Sequence, residues 1–183
     1  MKRQIGQFQG EVIHQALAAL GAELGAGHGI EILIVGGAAA LLIGVLPPTI
    51  TTGDVDAIHF RPPNDVEEVL IAAEAVADKQ QLAKGWLSID AGLYANAVPE
   101  DWESRRVDIG RFGRLQVYAL GRLDLIATKF YAHREVDLEH LARMSVTLDE
   151  RRFANDSLQK LYDILPDERG KIDMALHILG EWT

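Results

Sequence analysis

Two aspartates separated by a single valine, Asp54-Val55-Asp56, follow a glycine pair, Gly36-Gly37, within one stretch, IVGGAAALLIGVLPPTITTGDVDAI, Ile34 to Ile58. Residues two apart on a strand share a face, so both carboxylates would point the same way. Side-by-side carboxylates repel. A hard, oxygen-seeking cation such as Mg²⁺ (or Mn²⁺) between them removes that cost. The glycine pair, read at a strand-to-helix junction, leaves backbone N–H groups open to a ligand with no Cβ in the way. The helix start behind it favours negative charge. Together the two features could hold a polyphosphate tail and the metal that bridges it, which is most of what phosphoryl transfer requires. Each half also has a plainer reading: a packing turn for the glycines, and a solvated strand with two ordinary surface acids for the aspartates. The run after Gly37 is AAALLIG rather than a G-x-G-x-x-G, so the dinucleotide-binding fingerprint is missing. His59 falls on the face opposite the aspartates and is not counted with them.

The elements that must position these residues can be read in order. Apolar residues at Val12, Ile13, Leu17, Leu20 and Leu24 predict a helix over about 10–24, stopped by GAGHG. IEILIV reads as a buried strand, GGAAALLIG as a helix packed on it, VLPPTITTG as a loop and DVDAIHF as a second strand. Asn64 with Glu67 has the spacing of a helix N-cap and its reciprocal acid. RRVDIGRF and LQVYAL predict two more strands joined by a Gly-Arg turn. Residues 122–144 predict helix, in one or two pieces. Thr147 and Glu150 form a capping box ahead of the next helix, Pro166 breaks that helix, and a final helix follows. The order gives an α+β (α/β) fold: a small mixed sheet flanked by helices, with helices at the C-terminus. Residues 1–145 would form the core and 146–183 a helical segment packed on it in one compact unit.

Composition narrows the function classes. The 183 residues carry no cysteine and a formal net charge of −9, and hydrophobic residues make up 48%. Thiolate metal sites and disulfides are excluded. The acidic balance argues against a broad phosphate-tracking surface. No apolar run approaches membrane-spanning length, and the N-terminal stretch has no signal-peptide core, so a cytoplasmic protein with no membrane partner is expected.

The segment GGAAALLIG…TTGDVDAI resembles the first motif of the DNA polymerase β-type nucleotidyltransferase superfamily. The later VPEDWESRRVDI and LQVYALGRLDLIATKFYAHREVDLEHL are similar to the branch allied to AbiEii toxins and minimal nucleotidyltransferases of toxin–antitoxin systems. The resemblance spans roughly residues 30–141. It implies that Gly36 and Gly37 contact a nucleoside triphosphate, that Asp54 and Asp56 ligate Mg²⁺, and that Thr52 touches phosphate. Lys129 matches a lysine that meets the triphosphate or orients its helix, and Arg134 with Asp137 matches an accessory Arg-x-x-Asp element. Asp108 is the candidate third carboxylate, both catalytic and metal-binding, with Asp90 a weaker substitute. The branch commonly carries an arginine shortly before the Thr-x-Asp segment, where this chain has PPTITTG.

Plainer readings stand beside these roles. Lys129 could extend its ammonium to solvent from an apolar helix. Arg134 and Asp137, three apart, could be only a local ion pair. Asp108 could be a surface acid paired with Arg105 or Arg106. His133 and His140, seven apart, would share a helix face without forming a metal site. Trp86, Trp102 and Trp182 read as core or interface residues. The leading expectation is a Mg²⁺-dependent enzyme that moves a nucleoside monophosphate from a triphosphate to a hydroxyl of RNA or protein, in a toxin–antitoxin or phage-defence setting. One alternative is an inactive binding module of the same fold, serving as antitoxin or regulatory partner. A nucleotide-sugar glycosyltransferase is disfavoured by the small size and the early glycine pair.

Overall fold

The structure, a computed structural model, describes residues 7–182. The chain divides into two compact units, one of Met1–Gly92 with Arg106–Leu120 and one of Leu93–Arg105 with Gly121–Thr183. The chain passes from one unit to the other at 92/93, 105/106 and 120/121.

The first unit holds the five-stranded mixed sheet. Its elements are α1 (Gly10–Glu23), β1 (Ile30–Ile34), α2 (Gly36–Leu42), β2 (Val55–Arg61), α3 (Val66–Gln80), β3 (Leu87–Ser88), β4 (Val107–Phe112) and β5 (Leu115–Ala119). The strand order is β3-β2-β1-β5-β4. β1 is central, antiparallel to β2 and parallel to β5, while β4 closes an antiparallel hairpin on β5. Ile30, Ile32, Leu33 and Ile34 are buried, as expected of a continuous apolar, β-branched run covered on both faces. Helix α1 lays Ile13, Ala16, Leu17, Leu20 and Gly21 into the core. Gly21 is required there, because a Cβ would lie 2.2 Å from the Phe112 carbonyl oxygen.

Both outer strands are irregular or short. β3 has 2 residues. β4 shifts register between Asp108 and Gly110, where Gly110 has φ 141°. β2 shifts register where His59 has φ 53°. The predicted cap at Asn64 is not formed. Pro63–Asp65 makes a 3-10 turn, and α3 begins at Val66 with no side-chain cap. Asp65, the residue before the helix, instead contacts His28 Nε2 at 2.5 Å.

The second unit is helical: α4 (Trp102–Arg105), α5 (Arg122–Ala132), α6 (Glu135–Met144), α7 (Leu148–Ile164) and α8 (Arg169–Glu181). The capping box forms as predicted. Thr147 Oγ1 accepts from the Glu150 N–H, and the Glu150 carboxylate accepts from the Thr147 N–H. Residues 122–144 form two helices, not one, because His133 turns left-handed at φ 37°. His133 and His140 therefore do not share a helix face, contrary to the spacing argument. Leu125, Ile126 and Phe130 are fully buried, and Trp182 packs edge-on against Phe130 at 5.4 Å.

Candidate active site

β1 ends in a sharp bend. Val35 is extended, Gly36 takes φ 67°, and α2 starts at once. A left-handed φ costs an L-residue with a Cβ roughly 1–2 kcal/mol, which is why glycine stands here. The bend is tied to the neighbouring strand, since the Val35 N–H donates to the Asp56 carbonyl at 3.0 Å. The Asp56 side chain turns toward the same bend. Its Oδ2 lies 3.4 Å from the point a Cβ at Gly36 would occupy. The glycine turn and one of the two acids therefore meet, and the missing side chain at Gly36 leaves space beside the carboxylate. Gly37 follows as the second residue of α2, half-buried.

Asp54 stands one residue before β2 and is exposed, while Asp56 is half-buried. Val55 and Ala57, between and after them, are fully buried. That alternation is what a paired strand imposes. Thr52 is half-buried, and its backbone N–H and C=O both bond to Phe8.

Asp108 is not delivered to this place. Directly across the sheet from Asp56 lie Val35, then Leu120, then Arg106, by extension of the registers. β4 is three strands from β2, about 14 Å at ordinary strand spacing. Asp108 is exposed and accepts from Gln116 Nε2 at 2.7 Å. Neither neighbouring arginine pairs with it. Arg105 grips Asp124, and Arg106 stacks on the Tyr118 ring at 3.7 Å. Asp90 begins a 3-10 segment, Asp90–Ala97, with its N–H bonded to Ser88 Oγ. Among the described residues no group of three acids or histidines is placed to hold a metal.

In the helical unit Lys129 does not reach solvent. It is 3% exposed, and its Nζ lies 3.1 Å from Asp137 Oδ1 and 3.0 Å from His140 Nδ1. Arg134 Nε also donates to Asp137, at 2.7 Å. Burial pushes the Asp137 carboxyl up, but Arg134 and Lys129 together outweigh it and hold the pKa below the usual range. Burial, reinforced by the Lys129 charge, lowers His140 to about 4, so it is neutral at physiological pH.

One polar pair has no counterpart in the sequence reading. Asp124 is fully buried at the start of α5 and takes three hydrogen bonds from Arg105, two from Nε and one from Nη2. Burial raises its pKa against the opposing effect of Arg105. The signal available was an acid set in the apolar run RLDLIA; its partner lay too far along the chain to be paired with it by eye.

The donor set of Asp54 and Asp56, carboxylate oxygens alone, is of the kind a hard divalent cation takes. Mg²⁺ is commonly held by one or two carboxylates with substrate phosphates completing its shell, so a third protein carboxylate is not demanded. No curated protein and no solved structure matches the chain. Residues 15–167, more than half of the chain, match a family described as a nucleotidyltransferase of unknown function (DUF6036). The chain belongs to this nucleotidyltransferase family.

Proposed function

We propose that the protein is a Mg²⁺-dependent nucleotidyltransferase whose site is the Gly36 bend and the Asp54-x-Asp56 pair. The observation that carries this is the approach of Asp56 Oδ2 to the open side of Gly36, 3.4 Å from where a Cβ would stand. Asp54 and Asp56 would hold the cation. Gly36 and Gly37 would leave room for the triphosphate against the backbone. When bound, Mg²⁺ supplies charge neutralisation along the triphosphate and polarises its phosphoryl oxygens. In the reaction an acceptor hydroxyl oxygen bonds to the α-phosphorus, the bond from that phosphorus to the bridging oxygen breaks, pyrophosphate leaves, and the hydroxyl proton passes to solvent. The acceptor is an RNA or protein hydroxyl, and a cognate toxin or antitoxin partner fits the resemblance of residues 30–141 to the AbiEii-allied branch.

A second reading has one observation in its favour. Asp108 sits three strands from β2 and bonds Gln116, which suits a binding module that keeps the fold without full catalytic equipment. One experiment separates the two. The protein is incubated with Mg²⁺ or Mn²⁺, each labelled nucleoside triphosphate, total RNA and cell protein. Label transfer that is lost in Asp54→Ala and Asp56→Ala establishes the enzyme. Absence of both transfer and triphosphate binding by calorimetry removes it in favour of the module.

A further inference from the structure

The loop that delivers Asp54 is long and thinly held. α2 ends at Leu42 and β2 begins at Val55. Val45 and Leu46 are tied back to the Ala40 carbonyl, and Leu46 is buried. Residues 47–49, Gly53 and Asp54 are exposed, and a side chain at Gly53 would meet nothing within 4 Å. Among the described residues, the backbone hydrogen bonds between Leu46 and Val55 that reach outside the loop all involve a single residue, Phe8. The Phe8 N–H donates to the Thr52 carbonyl at 2.8 Å, and the Thr52 N–H donates to the Phe8 carbonyl at 3.0 Å. One further bond, from Thr51 Oγ1 to Gln7 Oε1 at 3.2 Å, runs beside them. On the other side of Asp54, Val55 N–H is anchored to the Trp86 carbonyl at 2.8 Å.

Asp54 is thus bracketed. It lies outside the β2 ladder, so strand pairing does not fix it, and its position follows from two clamps, one at Thr52 and one at Val55. The Thr52 clamp depends on Phe8, which is completely buried. A buried aromatic anchors the N-terminal segment in the core, and two backbone bonds pass that anchoring to the loop.

We propose that the N-terminal residues Gln7 to Gln9 form a positioning strand for the metal-binding carboxylate Asp54, with Phe8 its anchor and Thr52 the point of transmission. The inference rests on the reading of Asp54 and Asp56 as the cation site. Released from Phe8, the loop samples many conformations, and the carboxylate pair is assembled only part of the time. Apparent metal affinity falls in proportion to the fraction of time the pair is assembled.

The test uses the full chain and two readouts. Hydrogen exchange measures the clamp without any metal. In the wild-type protein the Phe8 and Thr52 amides exchange together and at least about 100-fold slower than Gly53. Thr52→Pro, which removes one bridge donor and leaves Phe8 in place, speeds exchange of the Phe8 amide, the remaining donor of the bridge, about tenfold or more. Mn²⁺ titration followed by water-proton relaxation measures the site. Thr52→Pro and Phe8→Ala weaken Mn²⁺ binding about tenfold, Phe8→Leu restores it to within about twofold of wild type, and Thr52→Pro adds nothing in an Asp54→Ala background. Thermal melts identify variants that have unfolded, and for these the wild-type exchange pattern decides. Unprotected Phe8 and Thr52 amides in the wild type overturn the clamp. A folded Thr52→Pro variant with wild-type Mn²⁺ affinity overturns the positioning role alone. Failure of the wild type to bind Mn²⁺ overturns the cation-site reading, and the positioning role with it, even where the clamp is protected.

Discussion

The Asp56 carboxylate faces the Gly36 bend, its Oδ2 3.4 Å from the place a β-carbon would fill, and the Asp56 carbonyl accepts the Val35 N–H from the same bend. Strand and turn are joined at this point by the backbone hydrogen bond, with the carboxylate lying alongside. Gly36→Ala therefore does two things. It forces a residue with a Cβ into φ 67°, costing roughly 1–2 kcal/mol, and it sets a methyl group in van der Waals contact with the carboxylate, where a ligand would lie. Urea unfolding should show the first effect, and a loss of label transfer larger than the stability change can explain should show the second.

Asp54→Asn and Asp56→Asn each remove a negative oxygen from the proposed cation site. Transfer should fall on the order of 100-fold or more in either variant. Asp54 is exposed, so its variant should unfold within about 0.5 kcal/mol of the wild type. Asp108→Ala is the control: with Asp108 bonded to Gln116 on a strand three removed from β2, transfer should change by less than about threefold. A loss as large as that of Asp54→Asn would place a third carboxylate in the mechanism after all.

His140 predicts a specific acid sensitivity. Burial first, and the Lys129 charge second, lower its pKa from 6.5 to about 4. Between those values the unfolded chain binds the proton and the folded one does not, so stability rises with pH across the window and is lost as pH falls through it. The full effect is roughly 3 kcal/mol. Asp137, held low by Arg134 and Lys129 against its burial, adds a further loss at more acidic pH, as its carboxylate is protonated. Denaturant midpoints between pH 7 and 4 should fall in the wild type, and the part of the slope near pH 5–6 should flatten in His140→Gln.

Arg105 and Asp124 test the buried pair in the helical unit. Asp124 is fully buried and Arg105 carries three of its hydrogen bonds. Arg105→Ala strands the carboxylate and should cost roughly 3–5 kcal/mol. The double change Arg105→Met with Asp124→Leu should recover most of that loss, since replacing a buried pair with apolar residues is often close to neutral. Chemical denaturation of the wild type and the two variants provides the measurement.

The parts legible in the sequence were those written in local pattern. The apolar run at Ile30–Ile34 and the Thr147–Glu150 box fold as read, because adjacent residues alone determine them. The Gly36 bend was legible because glycine at a strand end has few other uses. What escaped depended on partners distant in the chain. The Asn64 cap failed once Pro62 and Pro63 led into a 3-10 turn and Asp65 took His28. Whether residues 122–144 form one helix or two was left open by the pattern, because the left-handed turn at His133 is announced by no periodicity. Lys129 was read as solvent-seeking or phosphate-seeking, and its contacts with Asp137 and His140 arise only after α6 folds back on α5. Asp108 shows the same limit: its residue type and strand were readable, but the order of strands in the sheet, which separates β4 from β2, was not.

The two ends of the sheet share a consequence for handling the protein at high concentration. β3 offers only 2 residues, and β4 carries the exposed charges Asp108 and Arg111 around a register break at Gly110. Open strands are the usual templates for aggregation, and shortness, charge and a kink each spoil the template. Among the described residues, the sheet therefore presents no long flat border onto which a foreign strand could zip, and solutions of the protein should resist fibre growth.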